Sequence, residues 1–149
     1  MATKSFPASI SALVLLPMFA GCAGDDFPLA PVSGTLMLDG RPVANAQVAF
    51  EPQRLGDAIN AGPGSYGTTN AQGQFELRTA DGRAGAVIGA HAVIFSTYQA
   101  KQGENFEMIV VAEELIPQGY RTGPGRLTFT VPAEGTTHAD FQLSSTGPN

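Results

Sequence analysis

Val32-Ser33-Gly34-Thr35-Leu36-Met37-Leu38-Asp39-Gly40 is the stretch that decides the fold class. Val32, Gly34, Leu36 and Leu38 fall on one face of an extended chain and Met37 on the other, the period of two that a half-buried strand requires. Asp39-Gly40 supplies residues that accept positive φ, so the chain can reverse there. Pro42 suits an edge or a loop, because it has no N–H to give to a ladder. A return strand is expected over Ala46 to Glu51, with Ala46, Val48 and Phe50 inward and Asn45, Gln47 and Ala49 outward.

The same pattern continues in both directions from this unit. A loop rich in Gly, Asn, Asp and Pro fills Pro52 to Gly64, and Tyr66-Gly67-Thr68-Thr69 opens a second pair. Asn70-Ala71-Gln72-Gly73 reads as a turn, Gln74 to Thr79 alternates strictly, and Asp81 to Gly85 is turn chemistry again. Ala92 to Tyr98 is β-branched and aromatic, hence a strand. Glu104 to Tyr120 is ambiguous: Phe106, Ile109 and Val110 have helical spacing, Met108 to Val111 is equally a short apolar strand, and Pro117 stops a helix in any case. After Gly123-Pro124-Gly125, strands follow at Leu127 to Val131 and His138 to Leu143. About seven short strands without a secure helix predict an all-β, antiparallel two-sheet sandwich. Its expected core is Leu36, Val48, Phe50, Phe75, Leu77, Val93, Phe95, Phe129 and Phe141.

Three landmarks carry a family resemblance: Ser33 to Phe50, then Gly67-Thr68-Thr69-Asn70-Ala71-Gln72-Gly73-Gln74-Phe75, then Gly89-Ala90-His91-Ala92-Val93. In order and spacing they resemble bacterial carboxypeptidase regulatory-like, or transthyretin-like, domains, the first landmark looking like that family's opening hairpin. Ile116-Pro117-Gln118-Gly119-Tyr120 and Ala139-Asp140-Phe141-Gln142-Leu143 further resemble small lipoproteins built from one such domain. The resemblance implies a seven-stranded, prealbumin-like sandwich over residues 32–144, with 145–149 as a tail, serving as a structural or interaction module rather than a catalyst. Pro52 to Gly64 and Gln99 to Val111 depart from the pattern and inherit nothing. The transthyretin-related hydroxyisourate hydrolases end in Tyr-Arg-Gly-Ser, whereas here Tyr120-Arg121 continues as Thr122-Gly123 upstream of two strands, so that active site does not carry over.

The leader gives an address. Lys4 precedes the apolar run Ile10 to Phe19, which is too short to span a bilayer as a helix and is interrupted by Pro17. It ends in Phe19-Ala20-Gly21-Cys22, which resembles the lipobox of bacterial lipoproteins. That resemblance implies cleavage of residues 1–21, a lipid anchor on Cys22, and a tether over residues 22–31. Two other readings stay open: an ordinary secretory signal cut after Ala23, and a cytoplasmic chain that keeps its cysteine. The expected location is the bacterial cell envelope, membrane-anchored and facing the periplasm or exterior. Ala23, where Asp would retain a lipoprotein at the inner membrane in hosts that sort this way, favours onward transport.

Eight Lys and Arg face thirteen Asp and Glu, and with Lys4 in the leader no Lys/Arg cluster remains in the body to neutralise a run of phosphates, so nucleic-acid binding is not expected. With one cysteine there is no internal disulfide, and stability must come from the core. His91 and His138 are each expected as solvent-facing strand residues, without the spacing of a metal site. Glu113-Glu114 reads as a solvated loop, because adjacent strand residues point apart. No nucleophile motif is present, so neither catalytic residues nor a cofactor are expected. Expected partners are the membrane, through Cys22, and an envelope protein or glycan. Tyr66, Tyr98 and Tyr120 are the candidates for a second reading, a carbohydrate- or peptide-binding groove at one end of the sandwich, against the plainer view that they cover the rim of the core.

Overall fold

The alternation that starts at Val32 is realised as two sheets sharing one interior in the computed structural model, which describes residues 27–54 and 60–148. Cys22 and the leader lie outside the described residues. The strands are β1 (Leu29–Ala30), β2 (Ser33–Leu38), β3 (Arg41–Pro42), β4 (Gln47–Pro52), β5 (Ser65–Thr68), β6 (Gln74–Glu76), β7 (Arg78–Thr79), β8 (Ala86–Val87), β9 (Gly89–Ser96), β10 (Gln99–Gln102) and β11 (Met108–Ala112). A single helical turn, α1 (Gln118–Arg121), follows, and then β12 (Leu127–Val131) and β13 (Phe141–Leu143). The chain is thus mostly β with almost no helix. Pro117 does not end a helix as expected but stands at the start of α1, a position where its missing N–H costs nothing.

One sheet has the order β12-β9-β4-β5-β7 and the other β13-β2-β3, with β6 also paired to β2. Only Leu77 separates β6 from β7, so one passage of chain serves both sheets. Gln74–Glu76 pair with β2, and Arg78–Thr79 pair with β5. Leu77 and Phe75 point inward from this joint. Small pairs complete the frame: β1 with β8, and β10 with β11.

The interior is organised around Phe141. Its ring centroid lies 5.0 Å from Phe95, 5.9 Å from Phe129, 6.1 Å from Phe50 and 6.4 Å from Phe75. Both sheets and the joining strand therefore meet at one side chain. Leu36, Val48, Phe50, Phe75, Leu77, Val93, Phe95 and Phe141 are all buried as expected, while Phe129 is only partly buried against them.

Several expectations need correction. Asp39 (φ 50°) and Gly40 (φ 76°) do reverse the chain, the two positive φ values of a type I′ hairpin turn. The partner of β2 across that turn is β3, however, not the strand that follows. Pro42 ends the short ladder for want of an N–H, Asn45 turns at φ 57°, and β4 is delivered to the other sheet, between β5 and β9. The sheets are not wholly antiparallel either: β13 runs parallel to β2, with Phe141 opposite Leu36 and Leu143 opposite Leu38. Residues 29–31 are not free tether. β1 pairs with β8 and Ala30 is buried, so the body begins at Leu29, before the expected boundary at Val32. The tail is tied down as well, Ser145 N–H donating to Asp39 Oδ1 at 3.0 Å. Finally, the run Met108 to Val111, which periodicity leaves open between helix and strand, is a strand paired with Gln99–Gln102 in a hairpin.

Truncating the hub tests this organisation. Phe141→Ala removes a buried aromatic that four other rings contact and is expected to cost about 3–5 kcal/mol, read from urea unfolding of the full chain. A loss below about 1 kcal/mol would show that the core does not depend on this ring.

Candidate functional site

The end of β9 carries the most unusual surface of the molecule. Beyond Ser96 the chain turns through Thr97 and Tyr98 into the β10–β11 hairpin, in which Gln102 faces Met108, Lys101 faces Ile109 and Ala100 faces Val110. Its turn is closed by Gly103 N–H donating to Glu107 O at 2.7 Å, and Asn105 N–H donates to Glu107 Oε2 at 2.9 Å. Phe106 stands in this turn at φ 63°, a conformation bulky residues rarely adopt, with 83% of its surface in water. Met108, Ile109, Val110 and Val111 are exposed too, so both faces of β11 meet solvent. Leu115 extends the apolar surface at the hairpin's foot, beside a shallow cavity lined by Leu38, Arg41, Pro42 and Val43.

The foot itself is held by Glu114. Its carboxylate accepts from Ser96 Oγ at 2.6 Å, Thr97 N–H at 3.0 Å, Thr97 Oγ1 at 3.1 Å and Ile116 N–H at 2.9 Å. Arg121 Nε lies 3.7 Å away and also donates to Ile116 O at 3.2 Å. Thr97 Oγ1 in turn accepts the Leu115 N–H at 2.7 Å and donates to Glu113 O at 2.9 Å. Burial alone would raise the Glu114 pKa, but the hydrogen bonds from Ser96, Thr97 and Ile116 together outweigh it and hold the carboxyl below its ordinary value. The expected solvated loop is therefore, at Glu114, a clamp that fixes both ends of the hairpin to β9. Glu113 gives the clamp only its carbonyl oxygen.

His91 also departs from expectation. Rather than facing solvent, it is fully buried on the inner face of β9, its ring 5.6 Å from that of Phe50. Nδ1 donates to Gly89 O at 2.9 Å, which makes Nε2 the unprotonated nitrogen, and among the described residues Nε2 has no hydrogen-bond partner. Burial pushes its pKa below the usual value, against a smaller opposing effect of the Gly89 bond. His138 is exposed, as expected, 4.0 Å from Asp140. Among the described residues no three His, Cys, Asp or Glu side chains stand together as metal ligands.

The three tyrosines do not form a groove. Tyr66 is half-exposed on the outer face of the five-stranded sheet, across from Ala49 and Arg78, and Tyr98 is half-exposed at the hairpin foot. Tyr120 is buried, the one buried residue of α1, and its hydroxyl accepts the Ser144 N–H at 3.2 Å. A buried ring cannot stack on a ligand, so Tyr120 drops out of any shared site. Sequence reading treated Met108 to Val111 as an undecided apolar run and so missed the exposed hairpin. The available signal was an apolar run facing Gln99, Lys101 and Gln102, residues that cannot cover it.

No family model matches the chain, and no curated protein sequence matches it. A solved structure to which it is similar is a 9R-lipoxygenase from Cyanothece PCC8801, aligned over 78% of this chain and 16% of that one at 11% identity and a TM-score of 0.38. This chain thus corresponds to a small part of that protein, and a likeness at this level carries no functional argument. No helix among the described residues is long and apolar enough to cross a membrane.

Glu114 and His91 each make stability depend on pH. Glu114→Ala strands donors from Ser96, Thr97 and Ile116 and is expected to cost about 1–3 kcal/mol locally, seen as faster amide exchange across residues 99–112. Because the folded Glu114 pKa is lowered, its contribution is complete above the ordinary carboxylate pKa of ~4.3 and is lost as pH falls through the folded value. Glu114→Gln should flatten that dependence, and a hairpin whose exchange ignores pH there would argue against the clamp. His91, also lowered, leaves stability untouched above its unfolded pKa of ~6.5 and costs stability as pH falls from there toward its folded value. His91→Phe should remove that component from urea midpoints measured between about pH 7 and pH 5; an identical slope in both proteins would contradict it.

Proposed function

We propose that the protein is a lipid-anchored module of a bacterial cell envelope, a prealbumin-like sandwich that works by contact and not by turnover. The observation that supports this most is the polarity of the body. β1, which continues the segment after Cys22, pairs with β8 beside the start of β9, and the exposed hairpin grows from the other end of β9. Eight residues of extended chain span about 25 Å, so the two ends are well separated. Cys22 precedes Leu29 by only six intervening residues. An anchor at Cys22 then holds the β1 end against the bilayer and presents Phe106, Met108 and Val110 away from it. Two acyl chains on a diacylglyceryl thioether suffice for stable anchoring without help from an acidic surface.

The prealbumin-like reading of the fold is favoured by the two sheets meeting at Phe141 and by the strand 74–79 that joins them. The contact partner on this reading is an envelope component. A carbohydrate or peptide groove built on tyrosines loses its support with Tyr120 buried. Metabolic labelling with a palmitate analogue tests the anchor: the wild-type chain is expected to take up label and fractionate with membranes, and Cys22→Ser to do neither. Unlabelled wild type, or label that survives Cys22→Ser, would overturn the reading.

A further inference from the structure

We propose that the β10–β11 hairpin is a self-association element, in which the free edge of β11 pairs with the same edge of a second copy. This names the partner for the contact surface proposed above, and rests on that reading only in taking this end as a contact surface.

The backbone supplies the first reason. Bonding alternates along an antiparallel ladder, and the Gly103–Glu107 pair is hydrogen-bonded, so Ile109 turns its backbone groups toward β10 while Met108 and Val110 turn theirs away. Among the described residues nothing pairs with those outward groups, because the sheet consists of β10 and β11 alone. An unpaired β-branched edge is a template for another strand. A two-fold rotation makes such an edge its own complement, which is the isologous geometry of most homodimers.

Side chains supply the second. Met108 (66% exposed), Ile109 (40%), Val110 (44%) and Val111 (51%) alternate between the two faces of β11, so a second copy added at the edge would set apolar cross-strand neighbours beside them on each face. Charge supplies the third. In a chain with thirteen acidic residues, β10 and β11 hold Lys101 as their one charged side chain, so the strands to be paired carry no carboxylate of their own, and Glu107 and Glu113 stand only at the two ends of β11. Lipid fits less well as the occupant, since Glu104 and Glu107 flank Phe106 at the tip and insertion would strip water from both.

Sedimentation velocity of the full chain in density-matched detergent, under reducing conditions so that Cys22 cannot link copies, reads the proposal directly. Wild type is expected to pass from monomer to dimer at micromolar concentration. Val110→Asp and Ile109→Asp, on opposite faces of the exposed strand, should each raise the midpoint at least tenfold with unchanged circular dichroism and melting. A wild-type monomer up to about 100 μM, or a dimer that both variants leave intact, would overturn the proposal. So would binding of the Cys22→Ser chain to phosphatidylethanolamine–phosphatidylglycerol vesicles that Val110→Asp abolishes, which would assign the hairpin to lipid. Each of these results leaves the acylation test at Cys22 unaffected.

Discussion

Phe141 sets the spacing of the two sheets, and the rest of the chain is arranged so that this ring can reach it. Its edge-to-face contacts with Phe95 and Phe129 and its contact with Phe50 come from one sheet, and its stacked contact with Phe75 from the strand that joins the sheets. Aromatic pairs of this kind add about 0.5–1.5 kcal/mol each beyond the area they bury. Their geometry holds only if β13 lies at the correct height, and two features place it. Asp140, facing outward, accepts from Thr35 N–H at 2.9 Å and Thr35 Oγ1 at 2.7 Å. Gly34 lets the chain pass Ala139 closely, since a Cβ there would stand 2.0 Å from the Ala139 carbonyl oxygen. The inward positions Ala139, Phe141 and Leu143 follow from those outward ones by simple alternation.

The core was legible in the sequence and the topology was not. Period-two alternation is a local property, and it identified Leu36, Val48, Phe50, Phe75, Leu77, Phe95 and Phe141 because each faces the same interior whichever strand lies beside it. Pairing is not local. Nothing within Ser33 to Phe50 says that β2 takes the two-residue β3 as its hairpin partner while β4 crosses to the other sheet. The decision rests on Pro42 ending a ladder and on Asn45 entering a left-handed turn, events that an Asp-Gly signal alone does not separate from an ordinary hairpin. The parallel alignment of β13 with β2 is set by residues more than one hundred positions apart in the chain, beyond any reading of periodicity.

The candidate site shows the same division. Sequence composition placed Glu114 in a loop, which is correct for its backbone and silent about its side chain, whose four donors come from both ends of the hairpin. His91 was misplaced for a related reason. In Gly89-Ala90-His91-Ala92-Val93 a histidine at an alternating position can face either side, and small neighbours give no vote. Its register opposite Pro52 and Phe129 puts it inward, where a single hydrogen bond to Gly89 satisfies one nitrogen and burial keeps the other unprotonated.

A two-stranded hairpin with both faces in water is marginal on its own, so the β10–β11 element must draw its order from elsewhere. The core cannot provide it, because no residue of β11 is buried. The order comes from the foot, where Ser96 and Thr97 at the end of β9 and Ile116 after β11 are bound to one carboxylate that Arg121 approaches from α1. A clamp of charge-assisted hydrogen bonds fixes the position of a hairpin without covering it. Covering the same residues with core would stabilise them more and leave no surface to offer. The arrangement therefore separates two tasks that folding usually merges: Phe141 and its neighbours hold the body together, and Glu114 holds an apolar edge out from it.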